Sequence, residues 1–360
     1  MIDVLKKTID SKPEKMISYY DYMKIVLYHP QKGYYMKDRE KIGKKGDFIT
    51  SSNFSDIYGR LVAKWYLKKV GEIAGLEPNV CEIGAGNGRF AAAFIDEWKK
   101  RTSLPLTYII VEQSLYHREL QKEVLTFNEH IRQVETLEEL APFNGLVFSN
   151  ELFDALPVHV VEKHDGRLFE VMVAYDQGKL VERRVPLTNK NILSFINDSG
   201  LKLQERQRIE IPLAMEEMIA RISKMLHKGL VLTVDYGYTN EEWMHPLRRQ
   251  GSLRGYFKHR QVDNCLLYPG EMDITSHVHF DSFILQGEKR GLRFVEKLRQ
   301  DEFFLKIGIL EELQEHTDPD PFSPVSRRNR AIKTLLLPGG ISSHFHVILQ
   351  KKNLDVRIEV

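Results

Sequence analysis

The chain has 360 residues, 42% apolar and 28% charged, enough for one large domain with insertions or two modest ones around a sizeable core. Its 52 basic and 50 acidic side chains leave a net charge of +2, so nothing draws it generally to a phosphate backbone and no nucleic-acid partner is signalled. The two cysteines, Cys81 and Cys265, lie far apart and offer neither a CxxC pair nor a disulfide framework, so no metal site is expected.

The N-terminal segment carries Asp3, Asp10 and Glu14 and lacks the apolar run of a secretory signal. No stretch approaches the roughly 18 apolar residues of a membrane span. The expected compartment is the cytoplasm, with no membrane partner. Residues 17–29 place apolar side chains at helical intervals until Pro30. A Gly- and Ser-bearing loop over 41–55 then leads to a second helix, with Gly75 suited to its C-terminal end.

From residue 79 short apolar strands alternate with helices. Strands are expected over 79–83, 106–114, 131–135 and 146–150, with helices over 89–101 and 116–127 between them. This alternation predicts an α/β fold with a parallel sheet and right-handed crossovers. Over 158–186 the period changes to apolar–polar alternation, with Asp165-Gly166 and Gln177-Gly178 between the runs, so an antiparallel insertion is expected. A helix over 214–228 and a strand over 229–237 follow. Residues 238–275 show little periodicity and many basic and aromatic side chains. A helix near 279–290, a strand near 293–299, a polar stretch rich in Pro and Arg, and a last strand over 344–352 complete the chain.

The turn after the first parallel strand reads EIGAGNG, placing Glu82, Gly84, Gly86 and Gly88 before a helix N-terminus. Glycines let the backbone turn tightly and approach a ligand, and the free N–H groups favour a nucleotide or a carboxylate. A dinucleotide turn wants a small residue where Arg89 stands, and no GK[ST] marks a P-loop. Glu112 ends the second strand, where a carboxylate can accept from both ribose hydroxyls and would repel a phosphorylated ribose. An acid before GxGxG and an acid ending strand two point to S-adenosyl-L-methionine rather than NAD or FAD. That cofactor has no phosphates and needs no basic clamp.

Several stretches together resemble one family: residues 44–65, 82–90, 149–162 (SNELFDALPVHVVE), 234–238 (VDYGY), 251–260 (GSLRGYFKHR) and 269–283 (PGEMDITSHVHFDSF). They are similar to the MidA-like S-adenosyl-L-methionine-dependent methyltransferases, whose mitochondrial members methylate an arginine on a complex I subunit and support assembly of that complex. The likeness runs from about residue 17 to 350. It implies a class I methyltransferase (Rossmann-like) fold: a mostly parallel seven-stranded sheet with helices on both faces, an N-terminal helical region and an antiparallel β-hairpin insertion. By motif, Gly84, Gly86, Gly88 and Glu112 would bind the cofactor with Glu82 before them, and Gly46, Asp47 and Thr50 would close over it. Asn150, Glu151 and Asp154 would face the substrate. Two departures stand out. Ser52, Asn53 and Phe54 replace the family's Pro-Glu, and GAGNG replaces the more usual GPGxG.

The expected organisation is a helical region with a cofactor-covering loop over 1–75, Rossmann-like segments over 76–157, 213–237 and 293–360, a hairpin insertion over 158–212 and a substrate-side insertion over 238–292. Ligands of such sheets sit beyond the strand carboxyl ends, so Asn150-Glu151 belongs beside the methyl donor. Paired carboxylates match the planar fork of a guanidinium. Glu151 is therefore the expected guanidinium ligand, with Asp154 assisting or receiving the proton. A plainer reading has Asn150 or Asp154 capping a helical turn and Glu151 in solvent. Asp235, Tyr236 and His277 are further candidates for lining the pocket, Asp273 and His279 for acid–base chemistry, and Arg248, Arg249, Arg254, Lys258 and Arg260 for holding an acidic partner. The function expected is methylation of an arginine on a partner protein. Methylation of a small molecule or an RNA base, and a cofactor-binding assembly factor without turnover, are the alternatives.

Overall fold

The computed structural model describes residues 1–38, 55–140, 142–316, 320, 322–337, 339 and 341–360. The described residues within 1–48, 153–219 and 237–286 form one compact unit, and those within 49–152, 220–236 and 287–360 a second.

The second unit is built on seven strands: β1 (Asn79–Ile83), β2 (Thr107–Val111), β3 (Ile131–Val134), β4 (Phe143–Asn150), β5 (Leu226–Tyr238, leaving the unit at its last two residues), β6 (Arg293–Arg299) and β7 (Phe345–Lys352). Their order is β6-β7-β5-β4-β1-β2-β3. Strands β1 to β5 pair in parallel, and β7 runs antiparallel between β5 and β6. Consecutive residues of β1, β4 and β5 are buried, as a parallel sheet covered on both faces requires. Helices α1 (Ser55–Glu72), α2 (Arg89–Arg101) and α3 (Leu115–Val124) belong to the same unit. Tyr66, Phe90, Phe94, Trp98, Tyr108 and Phe148 supply the bulk of its aromatic core. This is the α/β architecture expected from the alternation.

Two glycines make β4 and β5 possible. Gly145 and Gly229 lie opposite each other at φ +139° and +152°. A Cβ on Gly229 would stand 1.8 Å from the Gly145 carbonyl oxygen, backbone that cannot swing aside. Gly229→Ala should therefore destabilise the protein by about 3 kcal/mol or more, adding a clash to a backbone conformation that L residues avoid. A urea midpoint unchanged from wild type would refute this.

The first unit holds an antiparallel sheet. Strand Arg167–Asp176 pairs along one edge with Lys179–Pro186 and along the other with Met16–Ser18 and His159–His164, and Arg208–Ile211 extends the sheet beyond the last. Asp165-Gly166 and Gln177-Gly178 form the hairpin turns, all four residues at positive φ, as the sequence pattern predicts. Helices Ile2–Ser11 and Tyr19–Tyr28 bury Leu5, Ile9, Tyr22, Met23 and Val26 in one core with Val160, Val171, Met272 and Ile274.

Beyond the short strands Met16–Ser18 and Arg208–Ile211, the structure departs from the pattern in three further places. A helix at Lys190–Ser199, capped by Asn189 and ended by Gly200 at φ +71°, follows the hairpins. The segment 238–275, read as aperiodic, contains a three-stranded sheet of Arg254–Phe257, Arg260–Val262 and Asp273–Thr275. Strands of three or four residues are too short to display a period. The polar C-terminal stretch contains helices Gln300–Lys306 and Pro324–Leu336, the latter opened by Ser323 and Pro324.

Candidate active site

The sheet order reverses at β1, whose neighbours are β4 and β2. Register aligns the carboxyl ends: Ile83 faces Val111 on one side and Ser149 on the other, and Asn150 faces Val234. Glu112, Gly84 and Glu151 thus leave β2, β1 and β4 level with Asp235 of β5, at one edge of four adjacent strands. At about 4.8 Å per strand spacing this row spans roughly 14 Å, the length of an extended adenosyl amino acid.

Gly84, Gly86 and Gly88 sit at φ +75°, +54° and +75°. The Gly84 N–H donates to Val111 O (2.9 Å), and Gly88 caps α2. Gln121 of α3, fully buried, donates from Nε2 to Gly86 O (2.8 Å) and accepts from Gln133 through Oε1 (2.6 Å). A Cβ on Gly88 would meet the Gln121 side chain at 2.9 Å. Gln121 thus braces the glycine turn from behind. The motif reading passed over it; the only trace in sequence is a polar residue four positions after His117 on the buried stripe of the helix.

Glu112 is 8% exposed and takes one backbone N–H on each oxygen, Ser114 on Oε1 (2.9 Å) and Gly86 on Oε2 (3.3 Å), with His117 Nδ1 at 3.7 Å. A carboxylate has about four lone-pair sites, so acceptor capacity remains for ribose hydroxyls. Glu82 is buried and accepts from the Tyr108 hydroxyl (2.7 Å). Burial first, and the Glu112 charge in addition, push its carboxyl up to about 7 against the pull of Tyr108. The folded state therefore holds the Glu82 proton more tightly than the unfolded chain does. The resulting stability is complete below the unfolded pKa near 4.5 and is lost as pH rises through about 7. Glu82→Gln keeps an acceptor for Tyr108 and removes the titration. It should stabilise the protein at pH 8 by up to about 3 kcal/mol more than at low pH, from about 1.4 kcal/mol per pKa unit. Equal unfolding midpoint changes at pH 5 and 8 would sink that expectation.

Glu151 holds a left-handed backbone at φ +51°, an uncommon state for a non-glycine residue. Its N–H donates to Val234 O (2.9 Å), and Asn150 Nδ2 donates to its Oε1 (3.1 Å). Asp235 is 1% exposed and accepts the Tyr236 N–H on Oδ1 (2.9 Å), while the Tyr236 ring meets Phe345 edge-on.

The remaining candidates fall in the first unit. Asp154 is buried, its carbonyl accepting the Ser276 N–H (2.9 Å), and its charge reaches Tyr35 and Tyr256. Tyr35 donates to Asp273 (2.6 Å); burial, then the Asp273 charge, raises the Tyr35 phenol. His277 stacks on Tyr238 at 4.3 Å, and Arg248 lies over that ring. His279 donates from Nε2–H to Glu210 O (2.8 Å) and stacks on Trp243, and burial pushes its imidazole down to about 3. It stays neutral as a packed core histidine. Gly46, Asp47 and Thr50, like Ser52, Asn53 and Phe54, lie outside the described residues.

A phosphate-free nucleoside fits the described groups. The turn presents backbone rather than a basic clamp, and a buried carboxylate with spare lone pairs stands where a ribose would lie. The Asn150 Oδ1 atom is buried with no hydrogen-bond partner among the described residues.

Comparison with known proteins agrees. The Drosophila melanogaster protein named protein arginine methyltransferase NDUFAF7 homolog, mitochondrial, is 27% identical over 83% of this chain and 74% of its own. The Mus musculus protein arginine methyltransferase NDUFAF7, mitochondrial, is 28% identical over 80% and 70%. A Burkholderia thailandensis protein solved with S-adenosyl-homocysteine bound superposes with a TM-score of 0.88 at 26% identity, covering 99% of this chain and 94% of that one. The expectation of a cytoplasmic location does not stand, since these curated relatives are named as mitochondrial. The family model described as an S-adenosyl-L-methionine-dependent methyltransferase matches residues 61–296. With well over half its length in that match, the chain belongs to the S-adenosyl-L-methionine-dependent methyltransferases and uses that compound as its methyl donor.

Proposed function

We propose that this enzyme methylates an arginine side chain of a partner protein, with Glu151 as the guanidinium ligand. The observation that carries the reading is the placement of Glu151. Its carboxylate leaves the sheet one residue past β4, at the edge shared by the glycine turn and Glu112, on a backbone held in an uncommon conformation. Such strain concentrates where geometry serves chemistry. The names of the curated relatives support arginine as the acceptor.

Gly84, Gly86 and Gly88 would lie against the bound cofactor, and Glu112 would accept from its ribose. When bound, S-adenosyl-L-methionine supplies a methyl carbon on a cationic sulfur that leaves as a neutral thioether. The protein's task is then alignment. Glu151 accepts N–H bonds from the guanidinium, fixes one nitrogen toward the methyl carbon and stabilises the positive charge kept on the acceptor. Asp154 is assigned assistance or receipt of the proton that the alkylated nitrogen sheds. Asn150, Asp235, Tyr236 and His277 are assigned contacts to the acceptor.

The test is incubation with methyl-labelled S-adenosyl-L-methionine and lysate fractions, followed by residue analysis of labelled protein. Label recovered as methylarginine is the expected result. Label in RNA or the small-molecule pool would replace the substrate class. Cofactor binding with no transfer to any fraction would favour an assembly role, toward which the Ser52-Asn53-Phe54 departure points.

A further inference from the structure

Tyr58 and Gln300 are buried, at 2% and 0% exposed, yet the Tyr58 hydroxyl and both amide atoms of Gln300 have no hydrogen-bond partner among the described residues. Asn150 Oδ1 shares that condition. Native structures rarely leave such atoms unpaired, so a concentration of them calls for an explanation. The three side chains converge on one edge. Arg299, ending β6, faces His346 of β7; His346 faces Asp235 of β5; and Val234, just before it, faces Asn150 of β4. Gln300 therefore leaves the sheet at the edge where Glu151 does.

Tyr58 reaches that edge from α1. Phe148 and Asn150, two apart on β4, point to one face of the sheet. The Tyr58 ring packs edge-on against Phe148 (6.0 Å), Phe90 (5.3 Å) and Phe304 (5.0 Å), which fixes it on that face. Its hydroxyl feels both the Gln300 amide and the Glu151 charge, and burial, the largest influence, raises the phenol so that it stays protonated. On that same face Asn150 donates from Nδ2 to Glu151 Oε1 (3.1 Å), which draws the carboxylate toward it, and a neutral hydroxyl can donate to a carboxylate.

We propose that Tyr58 is a positioning residue for methyl transfer: its hydroxyl, unpaired among the described residues and beside the Gln300 amide, becomes the donor that orients the Glu151 carboxylate when the acceptor binds. This rests on the reading of Glu151 as the acceptor's ligand. A purely structural Tyr58 would matter through its ring alone.

Tyr58→Phe removes one oxygen and keeps the ring. Its thermal midpoint should equal or exceed wild type, and its S-adenosyl-L-methionine affinity should stay within about twofold, because no donor contact is lost. The initial rate of label transfer at saturating donor should fall about 10-fold or more. Gln300→Met should lower the rate in the wild-type background and add little to Tyr58→Phe. In a Glu151→Gln background Tyr58→Phe should cost less than about twofold, since residues acting through one another are not additive. A wild-type rate for Tyr58→Phe, or equal losses with and without Glu151→Gln, would overturn the proposal. Label on a residue other than arginine would remove the arginine reading while leaving the Tyr58 comparison, read as total transfer, in force. A wild-type protein without any turnover would remove both.

Discussion

Glu151→Ala is expected to abolish methyl transfer, a loss of about 1,000-fold or more, while S-adenosyl-L-methionine binds within a few-fold of wild type. The asymmetry follows from position. Glu151 follows β4, whereas the proposed donor contacts come from the turn after β1 and from Glu112 after β2. Removing the carboxylate strips the acceptor of its charged ligand and leaves the glycine turn untouched. Folding should survive, because the residue already pays for its left-handed backbone and alanine adds no new strain there. Glu151→Gln, which keeps size and one acceptor, should fall between. Label transfer and a calorimetric titration with the donor check both halves. Wild-type turnover in Glu151→Ala would end the assignment, and lost donor affinity would move Glu151 into the cofactor's own contacts.

Glu112→Ala should weaken S-adenosyl-L-methionine binding about 100-fold. Two ribose bonds to a charged acceptor, each contributing about 1.5 kcal/mol, give that factor at about 1.4 kcal/mol per tenfold. The substitution also releases the N–H groups of Gly86 and Ser114, so the turn itself should loosen. Glu112→Gln should recover part of the loss. Titrations with the donor and with NAD in parallel make the test specific: the wild type should bind the first and ignore the second. An unchanged dissociation constant for Glu112→Ala would mean the ribose is held elsewhere.

Local pattern carried the sheet of this protein. Short apolar-rich runs at 79–83, 106–114 and 146–150 marked strands, the second trimmed by the structure to Thr107–Val111, and the helix over 89–101 lies where its spacing placed it. Asp165-Gly166 and Gln177-Gly178 marked the hairpins because only a few residues tolerate the positive φ those turns need. The acids and glycines at strand ends were legible for a related reason: in a parallel sheet, chain direction alone decides which edge a strand's last residue reaches.

Tertiary structure alone decided what is held from a distance. The brace of Gln121 on Gly86 joins residues 35 apart in sequence, and a polar residue on a buried helix stripe does not say which partner it meets. The three short strands between Arg254 and Thr275 carry no period, and they exist because Met272 and Ile274 enter a core begun by Leu5 and Ile9. Tyr58 and Gln300 read locally as one more core aromatic and one more polar residue at a helix start. Sequence periodicity records which face of an element avoids water. Which buried polar atoms then meet, and which are left waiting for a partner, depends on how separate elements pack, and that is settled only when the chain closes on itself.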